Sequence, residues 1–564
     1  MASRFARVLL VGGIFGGLAC DPPEPSGPPN GLQKETPALT AAGSAGPPGA
    51  SAAARPTDAA ASAAGSPGSA PAASPASSGG GALASAGGVS PPPSALQGEG
   101  GRGGEVPRVY AKTRFVWVHY QPSLSSGWLG FLWLGGHAEL KTGKPAASGS
   151  GCDAWYEVKP RGFVCVDKNS DRATLDPQDP VLVALRPYAP KKESPWPHRY
   201  GESTGIDRYT KLPSVAEQKG REYLYDEHQK QVAAARAGGE VPKDLLGIDL
   251  TPGSPEPITL PTLPRTLQEQ RRRLLPMSTV AWSRDFLDDS GRSWLLSGDL
   301  MWVPKDRVKV YPPSPFHGVH LDGKEARLPL AFFRGKARPQ YTLEEGASEP
   351  KPNGQEWPRL AWVQLTGKKL EVGKETYWEV EGGLYARGRD AVLPTPQAAT
   401  PWGAPVGAED TTGKGPKGRQ TWLEISILGG WMIAYEGTKP VYATMVSPGR
   451  GGLPTRGVDP VETAATPVGT WVITGKFATA TMVAPHDFIH SDVPWTQNFH
   501  GPHALHVAYW HDNWGEKMSA GCVNVSALDG KWLFDWTDPP LPEGWHGIRW
   551  DKDLSPATQT VLHE

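Results

Sequence analysis

The chain has 564 residues, with 57 Lys and Arg against 58 Asp and Glu for a formal net charge of -1. That length predicts several domains, since single cores seldom grow much beyond about 250 residues, and the balanced charge supplies no global field for a polyanion, so nucleic-acid binding is set aside. The 68 Gly and 59 Pro are too many for compact structure throughout and crowd toward the N-terminus.

Residues 1–20 place Arg4 and Arg7 ahead of an apolar run from Val8 to Leu18, too short to cross a bilayer as a mature helix, which reads as an export signal. The run ends in Gly17-Leu18-Ala19-Cys20, which resembles a bacterial lipobox with Cys20 as the lipidated residue; plain secretory cleavage near Ala19 is the other reading. A lipid anchor at Cys20 would place the chain on the outer side of a membrane. Residues 21–105 are Ala, Pro, Gly and Ser with almost no large apolar residue, the composition of a disordered tether with a reach of roughly 50 Å. Only three other cysteines occur. Cys152 and Cys165 lie close together in one strand-rich segment of an exported chain and are expected to form a disulfide, which leaves Cys522 as a free thiol retained for reactivity rather than packing.

From Val109 onward apolar and polar residues alternate between turns, predicting a mainly β, multidomain chain. An aromatic strand, a glycine turn and a second apolar strand recur three times, at Trp155–Val164, Trp294–Val303 and Tyr377–Tyr385. The pattern resembles bacterial SH3-like domains, so residues 106–190 and 276–393 are expected to be small β-barrels of that kind. Between them, 191–275 is a connecting region in which Ser214-Val215-Ala216-Glu217 has the form of a capping box and predicts a helix to about Arg236, ending near Gly238. The triple Arg271–Arg273 reads as a solvated helix face. A Pro- and Gly-rich linker at 394–420 precedes a last domain at 421–555, whose opening strands break at Gly429-Gly430 and Glu436-Gly437.

The chemistry concentrates in that last domain. A cysteine is mostly thiol at neutral pH, so it needs an imidazole to take its proton, and His506 stands 16 residues before Cys522. Gly521 permits a tight backbone path that exposes the thiol, and successive N–H groups there could face an oxyanion. Ser519 and Asn524 would orient the loop or serve as ordinary turn hydrogen-bonders. Together with the turn Thr466-Pro467-Val468-Gly469, with Gly515, and with Ser519-Ala520-Gly521-Cys522-Val523-Asn524, this pattern resembles the YkuD-type L,D-transpeptidases over roughly residues 420–536. The resemblance implies Cys522 as nucleophile, His506 as base, and the carbonyl of Val507 as the group orienting the imidazole. It also implies peptidoglycan stem peptides as partners, no cofactor, and acyl transfer through a thioester to a stem-peptide amine (a 3-3 cross-link), to water, or to a protein amine. Ala520 stands where many relatives carry His or Arg, so His500, His503 or His511 is expected to substitute, or activity to be reduced. The rival from another class is a non-catalytic wall-binding lipoprotein that keeps the fold. A zinc peptidase built on His486, His490, His500, His503 and His506 is disfavoured: the spacing lacks H-E-x-x-H, and strand alternation would send His503 and His506 to opposite faces. Most of the 22 Trp read as core anchors, with stacking on glycan rings as their other role.

Overall fold

Alternating β-branched and aromatic residues between glycine turns make strands the dominant element. Thr421–Ser426 and Trp431–Glu436, for example, pair with Thr421 opposite Glu436 and reverse at Gly430, where φ is 68°. The computed structural model describes residues 106–564 except 259, 262–272, 409–419 and 484–488. The fold is mainly β, as the sequence pattern predicts. The export signal with Cys20, the 21–105 tether, Arg271, Arg272, most of the second half of the 394–420 linker, and His486 with Asp487 lie outside the described residues.

Two sheets enclose the core of the C-terminal part. One is six-stranded, in the order Val319–His320, Lys439–Met445, Trp431–Glu436, Thr421–Ser426, Gln559–His563 and Gly469–Val472. The other is ten-stranded and begins Val523–Val525, His503–Val507, Ile489–His500, Gly475–Val483. Leu423, Ile425 and Met432 of the first sheet meet Phe499, Leu505, Val507, Val523 and Val525 of the second in one fully buried cluster. The helix Ala527–Trp536 closes that core with Leu533 and Phe534, and starts where the Ser526 hydroxyl accepts the Asp529 N–H at 3.1 Å. Beyond the boundary expected at 555, Gln559–His563 runs parallel to Thr421–Ser426 inside the same sheet.

The upstream sheets do not all follow the boundaries expected for the 106–190 and 276–393 modules. The ten-stranded sheet continues through Gly547–Arg549 into Trp128–Leu132, Val116–His119, Phe163–Val166, Cys152–Glu157 and Ala147–Gly149. Glycines make the seam possible: a Cβ on Gly130 would lie 2.5 Å from the Gly547 carbonyl, and one on Gly547 would lie 2.5 Å from the rings of Phe131 and Phe477. Arg199–Ser203, from the expected connecting region, is an inner strand of a five-stranded sheet with Thr279–Leu287 and Val308–Val310. Val319–His320 joins the C-terminal sheet, and 330–387 forms a second six-stranded sheet of its own. The three sequence recurrences are antiparallel hairpins, one in each of three different sheets. Each hairpin pairs with strands near it in sequence; the pairing to distant parts of the chain is made by other strands of two of those sheets, Trp128–Leu132 with Gly547–Arg549 and Arg199–Ser203 with Thr279–Leu287.

Cys152 and Cys165 are joined by a disulfide, with Cα atoms 5.9 Å apart. The helix expected from Ser214 to Arg236 is two helices, Val215–Arg221 and Tyr225–Arg236. Ser214 does cap the first, but Leu224 takes φ 51°. The break lets Glu222 turn inward to Gln218, the Tyr209 hydroxyl and Arg307.

Candidate active site

His506 lies in the strand His503–Val507, and Cys522 directly precedes Val523–Val525; the two strands pair in parallel with His506 opposite Asn524. Side chains alternate along each strand, so Leu505, Val507, Val523 and Val525 enter the core while His506 and Asn524 share the other face. Extending the register by one residue puts Ala504 and Cys522 on that same face, and His503 with Gly521 on the opposite one. Cys522 is thus a diagonal neighbour of His506, not the residue facing it.

The cysteine loop is held by side-chain hydroxyls and a second main-chain segment. Ser519 Oγ accepts the Gly521 N–H at 3.0 Å and donates to the Cys522 carbonyl at 2.5 Å. Thr466, fully buried, accepts the Gly449 N–H at 2.7 Å and donates to the Gly521 carbonyl at 3.0 Å. Ser447 and Asn524 exchange both main-chain hydrogen bonds at 2.9 Å, and the Arg450 N–H donates to Ser519 O at 2.8 Å. Gly521 has φ 129°, and a Cβ there would lie 2.9 Å from both the Ala465 carbonyl and His503 Nε2, so the position requires glycine. Because its N–H is committed to Ser519, Gly521 supports the loop rather than offering that donor to an oxyanion in this state.

His506 is 3% exposed and its tautomer follows from its partners. Nδ1 lies 3.0 Å from the Val507 carbonyl, which can only accept, so Nδ1 carries the proton and Nε2 carries the lone pair. Asn524 Nδ2 stands 3.1 Å from that Nε2. Burial pushes the His506 pKa down to about 4, and burial pushes the Cys522 thiol up to about 11. Cys522 Sγ lies 4.0 Å from the Pro502 carbonyl and also meets the Ala504 main chain, and no hydrogen bond joins the thiol to His506. The pair is therefore neutral in this state, on one face but not hydrogen-bonded to each other.

The remaining sequence candidates disperse. Ala520 is exposed. His503 Nδ1 lies 3.2 Å from the His500 carbonyl, and the His500 ring sits 4.6 Å from Trp471. His490 stacks on Trp510 at 4.1 Å and is likewise pushed by burial to a pKa of about 4. Among the described residues no three His, Cys, Asp or Glu gather as a metal site. His511 reaches the centre, with Nε2 3.2 Å from Asn524 Oδ1, while His503 Nε2 stands against Gly521 on the opposite face.

Residues 508–519, between base and nucleophile, are gripped from upstream. Ser314 Oγ donates to Asp512 Oδ1 at 2.5 Å, Arg359 Nη1 to Asp512 Oδ2 at 2.8 Å, and Arg334 Nη1 to the Gly515 carbonyl at 2.6 Å. Although burial opposes it, Ser314, Arg359 and the Trp514 N–H hold the Asp512 carboxyl below the usual range. Beside them a cavity of about 320 Å³ opens between Tyr311–Pro315 and Tyr509–Asp512, with Trp196 as one wall. Sequence reasoning assigned no role to the Thr466 hydroxyl, although its motif was visible. It had no signal at all for Ser314, Arg334 or Arg359, which lie 153 residues or more before the residues they hold.

Residues 420–547 match the YkuD family, described as the L,D-transpeptidase catalytic domain. No curated protein matches the chain. Among solved structures, an L,D-transpeptidase from Xylanimonas cellulosilytica is 20% identical over 27% of this chain and 63% of its own, with a TM-score of 0.17. A cysteine-to-serine mutant of the Enterococcus faecium L,D-transpeptidase is 18% identical over 26% of this chain and 50% of its own, with a TM-score of 0.19. An L,D-transpeptidase from Mycobacterium tuberculosis is 14% identical over 38% and 71%, also at 0.19. The chain thus spans less than two thirds of the length of the first two.

Proposed function

We propose, from the premise that residues 420–547 carry a YkuD-type L,D-transpeptidase catalytic domain, that the protein is an exported enzyme transferring acyl groups between peptidoglycan stem peptides through Cys522. The observation that carries this reading is the parallel strand pair that puts the loop thiol and the buried, lone-pair-bearing His506 on one face. In the forward step, Cys522 Sγ attacks the carbonyl carbon of the L-centre before the terminal D-alanine. The C–N bond breaks, and the thiol proton leaves through His506 with the departing amine. An acceptor amine then attacks the thioester, its proton returns to the thiol, and a 3-3 cross-link results; water as acceptor would give a carboxypeptidase, and a protein amine a protein-to-wall linkage. Transfer needs the thiol to swing toward His506 Nε2 as substrate enters, since unliganded active sites often hold their hydrogen bonds long or misaligned. A lipid anchor at Cys20 and the 21–105 tether would carry the catalytic part from a membrane to the wall.

The separation of thiol and imidazole, with Ala520, also suits a second reading, a wall-binding protein that keeps the fold without turnover. Incubation with labelled tetrapeptide muropeptides, followed by mass analysis, separates the two. Loss of D-alanine with cross-linked product in wild type, absent in Cys522→Ala, supports the enzyme. Binding of muropeptides with no D-alanine released supports the wall-binding protein.

A further inference from the structure

The proton positions around His506 are fixed from both ends by main-chain groups. At one end the Val507 carbonyl holds the proton on His506 Nδ1, so Nε2 can only accept. At the other end the Asn513 N–H lies 3.2 Å from His511 Nδ1 and donates to it, so the His511 proton sits on Nε2 and can only be donated. Between them the Asn524 amide has a single consistent orientation, with Nδ2–H toward His506 Nε2 at 3.1 Å and Oδ1 toward His511 Nε2–H at 3.2 Å. Turning the amide would set oxygen against the His506 lone pair and N–H against the His511 N–H. Asn524 is wholly buried, so water cannot replace either contact cheaply.

We propose that His511 is a positioning residue which, through the Asn524 amide, holds His506 as a neutral base with its lone pair on Nε2, the support that the exposed Ala520 has no side chain to give. Protonation of His506 at Nε2 would place N–H against the Asn524 amine, and relief by an amide turn is blocked by His511. The network therefore keeps the base unprotonated until a substrate-loaded thiol competes for Nε2. The other groups around the imidazole are His490, whose own pKa is lowered by burial and by repulsion from His506, and the Trp510 ring at 5.8 Å. Besides burial, His511 also lowers the His506 pKa by repulsion, which the His511→Gln variant is chosen to separate from the amide contact. Cys522 stands on the same face. Asp512 is the charged neighbour of His511, and its carboxylate is taken up by Ser314, Arg359 and the Trp514 N–H.

The inference rests on His506 being the base, but its readout is titration of the ring rather than turnover, so the two fail separately. The full chain with ¹⁵N-labelled histidine is titrated by ring ¹H–¹⁵N correlation, the His506 signal being identified by its loss in His506→Gln. In His511→Ala the amide is free to turn, and the His506 midpoint is expected to rise by about one pH unit, the size of one lost amide hydrogen bond. His511→Gln puts an N–H where His511 Nε2–H was and carries no charge, so it should stay near wild type. Asn524→Asp offers only acceptors to Nε2 and should raise the midpoint further, and it serves where His511→Ala does not fold. Equal shifts in His511→Ala and His511→Gln would mean that simple charge repulsion operates, and would overturn the proposal. So would an unmoved midpoint in His511→Ala or in Asn524→Asp.

Discussion

With the thiol at about 11 and the imidazole at about 4, moving the proton from Cys522 to His506 crosses 11 − 4 = 7 pK units, roughly 10 kcal/mol before the two charges attract. Even in contact, an ion pair at about 4 Å in an effective dielectric near 20 recovers only about 4 kcal/mol. The neutral pair therefore dominates in the resting protein, and at pH 7 the thiolate fraction is on the order of one in ten thousand, against a few per cent for an ordinary cysteine. Alkylation of Cys522 by iodoacetamide, followed by intact mass across pH 6.5 to 10.5, should climb about tenfold per pH unit without levelling below pH 10. Lowering the pH should not reveal a histidine inflection near neutrality, since burial has moved His506 far below its ordinary 6.5. A plateau setting in below pH 8, abolished in His506→Gln, would show a preformed thiolate–imidazolium pair and refute this reasoning. The same burial carries a stability consequence. The unfolded chain takes up the His506 proton below about 6.5 while the folded one resists until about 4, so stability is present above 6.5 and lost as the pH falls toward 4. The gap of 6.5 − 4 = 2.5 units corresponds to roughly 3 kcal/mol, visible as a falling urea midpoint over that window and blunted in His506→Gln.

Thr466→Val keeps the shape but strips partners from the Gly449 N–H and the Gly521 carbonyl; a loss of roughly 2–4 kcal/mol in urea unfolding is expected, and a loss under 0.5 kcal/mol would show that the loop does not depend on that hydroxyl. Gly521→Ala should destabilise by at least about 1–3 kcal/mol, because a Cβ meets a carbonyl at φ 129°; wild-type melting would refute the tight fit. Alkylation without reductant should label Cys522 alone among Cys152, Cys165 and Cys522, and reduction of the Cys152–Cys165 bridge should cost about 3 kcal/mol for its short loop. A carbapenem should acylate wild type at Cys522 and leave Cys522→Ala unmodified, with EDTA without effect; an adduct persisting in Cys522→Ala would overturn the assignment of the nucleophile.

What the sequence made legible were local features. Three aromatic hairpins, the Ser214 cap, and the placement of His506 and Cys522 near neighbouring strands all depend on periodicity and spacing within a few tens of residues. What it hid were partnerships across long separations. Nothing in Trp128–Leu132 announces that its edge is completed by Gly547–Arg549, and nothing in Arg359 points to Asp512. The helix break at Leu224 was hidden for the same reason, since the partners that draw Glu222 inward include Arg307, 85 residues on. In the site, the motif marked Ser519, Gly521 and Asn524 as loop residues, but not that one amide would bridge two imidazoles. That arrangement depends on where Val507 and Asn513 present a carbonyl and an N–H.

The glycine seam at Gly130 and Gly547 bears on how the molecule can be cut. Residues 420–547, taken alone, would stop at the first residue of Gly547–Arg549 and omit Gln559–His563, opening a gap inside one sheet. Restoring the tail as far as residue 564 would still leave Gly547–Arg549 as a bare edge, because Trp128–Leu132 lies some 400 residues earlier in the chain. An apolar edge with Ile548 at its centre and Phe477 beside it is a template for another strand, so such a fragment should self-associate or precipitate where the longer chain stays monodisperse.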